Sequence, residues 1–270
     1  MRHALASVEG ALHPDPAHHA DDRGPRPLLL SVGVIIPALN EAEGLRELLP
    51  LLSSMGLGRI IVADNGSTDA TADVAIGAGA THVYVPQRGY GAACFAGMQQ
   101  LDASIGTVVF LDADLSDDPT LLPTLVRPIL AGECDFVIGT RVRALRARGS
   151  MTLPQVFGNV LATWFIRIGW GHRYGDLGPF RAIRRDALAR IDMQDRAFGW
   201  TAEMQIRAVE EHLRIRELPV PYRRRRGKSK ISGTVRGVVL AGYWILRTCF
   251  WLWVTSRARA ERSQSGKRRR

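Results

Sequence analysis

Residues 108–119 read VVFLDADLSDDP, and this stretch decides the fold. Its first five residues predict a buried strand running out to its carboxyl end. Asp112 and Asp114 then sit two apart, where an extended chain points both carboxylates to the same side. Two like charges at the open end of a central strand repel each other. A bound divalent cation relieves that conflict, and carboxylate oxygens suit hard ions such as magnesium or manganese. A plainer reading has these acids capping the next helix. It explains Asp118 followed by Pro119, since Asp caps well and Pro suits the first helical position. It leaves Asp112 and Asp114 without a role. A calcium loop is disfavoured, because Asp117 stands where such a loop needs glycine.

Working back from that strand, residues 29–36 form an apolar run ending at Pro37, which predicts a fully buried strand. Asn40 is placed to cap a helix, with Glu43 completing a capping box. Leu45, Leu48, Leu49 and Leu52 give that helix one apolar face. Further strands are predicted at 59–64 and 81–85, with helices reaching about residue 78 and covering 89–101. Working forward, a helix at 121–130 precedes a strand at 135–139. Strands alternating with helices predict an α/β fold with a mostly parallel, doubly wound sheet.

Ligands of such a sheet bind beyond the carboxyl ends of its strands. Four motifs fall there: PALNE at 37–41, DNGSTD at 64–69, RGYG at 88–91 and DAD at 112–114. Each has an ordinary explanation alone. Asn65-Gly66 makes a tight turn, Glu41 and Asp64 read as caps or solvated charges, and Cys94 breaks a dinucleotide fingerprint after Gly89 and Gly91. Their convergence on one edge points to a site.

After Arg141 the character changes. Apolar residues from Leu153 to Ile168 keep helical spacing, which fits a core helix or a membrane-contacting one. Strands follow at 177–183 and 215–220, with a helix at 202–212 between them. Residues 237–256 are apolar except for Arg247. Their length suits a spanning helix, but Arg247 and the basic flanks favour one lying in the membrane interface.

The formal charge is +10, unevenly spread. Of 36 Lys and Arg, 15 follow Tyr222 against one acid, Glu261, so the preceding body is slightly acidic. A basic appendage seeks phosphate, in lipid, substrate or nucleic acid. Here the basic residues flank a Trp-rich apolar stretch and match no nucleic-acid reading motif, so nucleic acid is not the expected partner. Three scattered cysteines without a CxxC pair argue for a reduced compartment and no structural zinc. Residues 1–27 lack the apolar core of a signal peptide.

Together, VIIPALNE at 34–41, VADNGSTDAT at 62–71 and FLDADLSDDP at 110–119 resemble the N-terminal signatures of family-2 glycosyltransferases of the GT-A fold. DLGPFRAIRR at 176–185 and RRRRGKSKIS at 223–232 resemble the dolichyl- or polyprenyl-phosphate mannose and glucose synthase branch. The resemblance covers about 200 of the 270 residues. Composition and resemblance together divide the chain into a disordered leader at 1–27, a GT-A catalytic domain at 28–222, a basic flap at 223–236, an apolar interfacial or spanning helix at 237–256 and a basic tail at 257–270.

It implies roles as well. Pro37, Ala38, Glu41 and Asp64 would surround the base and ribose of a UDP- or GDP-hexose, with Gly89 and Gly91 on the same donor site. Asp112 and Asp114 would meet magnesium or manganese and the diphosphate. Arg224, Ser229 and Lys230 would match a loop that closes over the phosphates. Ser116 stands where many relatives carry Gln, and Gly178-Pro179-Phe180-Arg181 replaces the usual Ser-Gly-Phe-Arg.

The expected reaction is inverting transfer of a hexose to polyprenyl phosphate at the cytosolic face of the cell membrane. One alternative keeps the donor but uses a hydroxyl acceptor, with Glu203 as base; the ordinary reading of Glu203 is a helix-surface carboxylate. An alternative of another class is nucleic-acid binding through the basic tail. The oligomeric state stays open, a homo-oligomer included.

Overall fold

The computed structural model describes residues 29–226 and 242–255. The expected leader, Ser229 and Lys230 of the basic loop, and the basic tail lie outside those residues. The chain runs β1 (Val32–Ala38), α1 (Ala42–Ser54), β2 (Arg59–Asp64), α2 (Thr71–Gly77), β3 (Thr81–Tyr84), α3 (Tyr90–Met98) and β4 (Thr107–Phe110). It continues with α4 (Leu122–Leu130), β5 (Phe136–Thr140), α5 (Leu153–Trp170), β6 (Arg181–Arg184), α6 (Arg185–Ile191), α7 (Trp200–Glu210) and β7 (Ile215–Pro219). A last helix, α8, spans 242–255.

The strands form one sheet in the order β3-β2-β1-β4-β6-β5-β7. Only β6 runs against its neighbours, β4 and β5; the other pairings are parallel. Alternate side chains of each strand feed two cores. Val32, Val34 and Ile36 pack with Leu45, Leu48 and Leu52 of α1 on one face. Ile35, Val108 and Phe110 pack on the other face with α7. There Phe110 meets Trp200 edge-on, at 5.9 Å between ring centres. Burying one such side chain contributes about 1.5–3 kcal/mol. Helix α8 joins this second core through Cys249 and Leu252, both fully buried.

Several expectations shift. The first strand begins at Val32 and runs through Pro37, which pairs with Ala63, to Ala38. Residues 30 and 31 precede it in a turn. The capping box at Asn40 does not form: α1 has no side-chain cap. Instead the 67–71 loop takes up the amides at its start. Ser67 accepts from Asn40 N, Thr71 from Glu41 N and Asp69 from Ala42 N. Asn40, at φ 53, turns its own side chain to that loop, where Oδ1 accepts from Thr68 N at 2.6 Å. Strand β4 stops at Phe110, so Asp112 and Asp114 sit in a turn rather than on an extended chain. The strand expected at 177–183 is confined to Arg181–Arg184. Asp118 does cap the next helical turn, accepting from Thr120 N at 3.1 Å, with Pro119 inside it.

Helix α5 has one face in the core and an apolar face turned outward. Thr152 and Gln155 close a capping box at its start, and Gly171 ends it at φ 73. Ala162 and Ile166 face the core. Leu153, Phe157, Val160, Trp164 and Ile168 form an outward stripe, with Leu153 86% exposed and Phe157 68%. Helix α8 also leaves Tyr243, Phe250, Trp251 and Val254 exposed. Among the described residues no helix is long and apolar enough to cross a membrane.

Candidate active site

A pocket of about 280 Å³ opens at the carboxyl ends of β1, β2 and β4. Pro37, Ala38 and Glu41 bring β1 and its loop to the wall, and Asp112 and Asp114 come from the turn after β4. Gly44 lets α1 press on that turn: a Cβ there would lie 2.2 Å from the Ala113 carbonyl oxygen. Inside the turn, Asp114 Oδ1 accepts from the Ser116 amide at 2.9 Å and from its hydroxyl at 2.5 Å. Buried Ser116 therefore orients Asp114.

The Asp114 Oδ2 atom lies 3.0 Å from an Arg225 Nη2, and Glu41 Oε1 lies 3.3 Å from the same nitrogen. The 223–226 segment is laid beside the acidic turn by its backbone. Arg223 N donates to Ser116 O at 2.7 Å, and Arg226 N to Asp114 O at 2.9 Å. Arg225 Nε is buried and has no acceptor among the described residues. On the other wall, Tyr90 Oη donates to Asp112 Oδ1 at 3.1 Å. Burial first, and then the Asp114 charge, lift the Asp112 carboxyl to about 6.

The expected residues divide. Pro37, Ala38, Glu41, Gly89, Asp112 and Asp114 line the pocket. Asp64 stands behind its wall, accepting from Ser67 N at 2.8 Å and lying 3.2 Å from His82 Nε2. Its neighbour Asn65 lines the pocket and accepts from Gly89 N at 2.8 Å. Gly91 is outside the lining and serves a close backbone approach: its amide donates to Ala197 O at 2.9 Å, and a Cβ would meet Asp195 O at 2.3 Å. Arg224 points away, donating from Nε to Arg148 O at 2.8 Å. Glu203 is fully buried elsewhere. Gln194 N and Asp195 N donate to its Oε2, and Arg207 pairs with its Oε1. Burial raises its pKa.

Arg225 and Tyr90 were not singled out by sequence. Tyr90 lay within the RGYG motif, and Arg225 was hidden in a run of four arginines. The buried Asp117 is a further surprise. Neither of its oxygens has a hydrogen-bond partner among the described residues, and burial pushes its pKa well up against the pull of Arg141.

The profile described as "Glycosyl transferase family 2" matches residues 33–192, covering the sheet edge that builds this pocket. The chain belongs to glycosyl transferase family 2. This family-2 transferase is 39% identical over 214 residues to an uncharacterised glycosyltransferase of Mycobacterium tuberculosis, covering 78% of this chain and 94% of the relative. It is 28% identical over 222 residues to a dolichyl-phosphate hexose transferase of Haloferax volcanii, covering 81% and 93%. Its fold matches the glucosyl-3-phosphoglycerate synthase of Mycobacterium tuberculosis, solved with Mn2+, UDP-glucose and phosphoglyceric acid. There the TM-score is 0.68 at 22% identity, covering 83% of this chain and 79% of that one. The family-2 transferase therefore has the GT-A fold, with the acidic pair and Arg225 at its sheet edge.

Proposed function

We propose that this glycosyltransferase moves a hexose from a UDP- or GDP-sugar to a polyprenyl phosphate, with inversion, at the cytosolic face of the cell membrane. One observation carries the acceptor. A cavity of about 210 Å³ lies between α5 and α8, the two helices with outward apolar stripes. Met151, Leu177 and Ile245 give it apolar walls, and Arg141 lines it as well. Asp176 fixes that guanidinium from two oxygens, at 2.6 and 2.7 Å. A partly apolar cavity with one oriented cation suits a lipid that ends in a phosphate.

The donor reading rests on the first pocket. The unmet Arg225 Nε–H suits a diphosphate oxygen, and a carboxyl held at about 6 by burial and a neighbouring acid suits a cation. Asp112 and Asp114 would hold magnesium or manganese, as the Mn2+ complexes of the structural relatives support. A divalent ion there supplies Lewis-acid stabilisation of the leaving diphosphate.

The remaining chemistry falls to the chain's own groups. An acceptor phosphate is already anionic, so its oxygen attacks the anomeric carbon without a general base. The bond from that carbon to the diphosphate oxygen breaks, and the nucleoside diphosphate leaves with the electron pair. Arg225 meets the charge that grows on it. A hydroxyl acceptor would need a base, and Glu203 has both oxygens engaged away from the donor pocket. The test is a panel of radiolabelled UDP- and GDP-hexoses with Mn2+ or Mg2+ and either polyprenyl phosphate or 3-phosphoglycerate. A lipid-extractable product of inverted anomeric configuration is expected. Transfer to phosphoglycerate with none to the lipid would overturn the acceptor.

A further inference from the structure

A second cavity, of about 500 Å³, lies across the 194–197 loop from the donor pocket. Arg88, Arg196 and Arg247 line it, together with Trp244 and Trp251 of α8. Arg88 also borders the donor pocket, whereas Arg196, Arg247 and the two tryptophans do not line it. We propose that it binds the phosphate headgroup of an anionic phospholipid.

The charges in the cleft are unequally committed. Its two acids are spent within the protein. Asp195 Oδ1 accepts from Ala197 N at 2.7 Å and Gly199 N at 3.2 Å, and its Oδ2 accepts from Thr248 Oγ1 at 2.8 Å. Glu203 is held by two amides and Arg207. Among the described residues the arginines keep most of their donors. Arg88 uses one, Nη1 to Asn65 O at 2.9 Å. Arg196 uses one, Nη1 to Met193 O at 3.0 Å, and stacks its guanidinium 3.5 Å over Phe95. Arg247 rests 4.9 Å over the Trp244 ring. Among the described residues none of the three arginines makes an ion pair. Several forked donors around one cavity suit the crowded oxygens of a phosphate.

The surroundings select a lipid over a soluble phosphate. Helix α8 forms one wall and turns Tyr243, Phe250 and Val254 outward. Trp251 lines the cleft and is itself 47% exposed. Indole rings beside basic side chains are the pattern of headgroup depth. A free phosphate would use the arginines and leave these aromatics without a function. The site does not rest on which acceptor the enzyme uses.

The test uses the full chain and dihexanoyl phosphatidylglycerol below its micelle concentration, followed by calorimetry and tryptophan fluorescence. Saturable binding is expected, weakened about tenfold or more in Arg196→Gln/Arg247→Gln, which removes two forked cations. Dihexanoyl phosphatidylcholine and inorganic phosphate should bind at least about tenfold more weakly than the anionic lipid. The basic tail is common to both proteins, so the difference between them reports the cleft. Neither residue lines the donor pocket, so UDP binding with Mn2+ should be unchanged and certifies the fold. Arg247→Gln alone, which alters an exposed side chain, keeps the test valid should the double variant misfold. No saturable binding, equal binding of phosphatidylcholine, or indifference to the arginine changes overturns the site. Phosphate binding as tightly as the lipid overturns the headgroup assignment.

Discussion

Arg225 Nη2 stands 3.0 Å from Asp114 Oδ2, so one cation of the basic run is already clasped to the acidic pair that sequence marked as the catalytic centre. Its neighbour Arg224 faces Arg148 O instead. Arg225→Ala should therefore weaken nucleotide-diphosphate binding by about 10–100-fold, the range for losing a hydrogen bond to a charged group. Arg224→Ala should stay within about twofold, as surface changes do. Calorimetric titration of UDP or GDP with Mn2+ separates the two. A larger loss at Arg224 would contradict the assignment.

The Asp112 carboxyl sits at about 6 against an ordinary 3.8, so the folded protein holds this proton more tightly than the unfolded chain. Stability from this group is full below about pH 4 and is lost as pH rises through about 6. A cation and diphosphate offset the ionised pair only once it has formed. The rise in melting temperature caused by Mn2+ and UDP should therefore be larger at about pH 7 than at about pH 5. Differential scanning fluorimetry at both values checks this; an equal shift would contradict it.

Replacing Gly by Ala inside a helix ordinarily stabilises by roughly 0.5–1 kcal/mol. Gly44→Ala should do the opposite, because its Cβ would lie 2.2 Å from the Ala113 carbonyl oxygen, a backbone atom that moves only with the turn carrying Asp112 and Asp114. We expect a loss of about 1–3 kcal/mol in urea unfolding, as for other overpacked sites, together with weaker donor binding. A gain in stability would show that α1 does not press on the turn.

The parts of the site legible in the sequence were those set by local pattern. The run from Val108 to Asp112 read as a buried strand, which the structure ends at Phe110, and an acidic pair at its end had few ordinary uses. Pro37, Ala38 and Glu41 followed because the loop after a central parallel strand must reach the same edge. What escaped was decided by long-range pairing. Nothing local in Arg223 to Arg226 says which arginine turns inward; the hydrogen bonds to Ser116 and Asp114 decide it. Asn40 looked like a cap, but residues from a different loop meet the helix amides. The periodicity of α5 was plain, yet core and membrane faces share one spacing, and only the packing of Ala162 and Ile166 shows which side is inside.

That outward face yields a further expectation. Phe157→Asp/Trp164→Asp places two charges on the exposed stripe, where neither side chain is part of the core. Melting temperature should change little, since exposed positions cost within about 0.5 kcal/mol each. Flotation with anionic vesicles should fall, because charges at an interface oppose insertion of the apolar face. Unchanged flotation, or no flotation of the parent protein, would contradict membrane contact through this stripe.

The most direct measurement is calorimetric binding of UDP and GDP to the wild-type protein and to Asp114→Ala, each with Mn2+ and with excess chelator. The account predicts metal-dependent binding of at least one nucleotide to the wild type. It predicts loss of roughly 100-fold or more in the variant, the scale for breaking a buried charge site, with an unchanged circular dichroism spectrum. Equal affinity in both proteins, or binding indifferent to chelator, would contradict a metal-assisted donor site at Asp112 and Asp114.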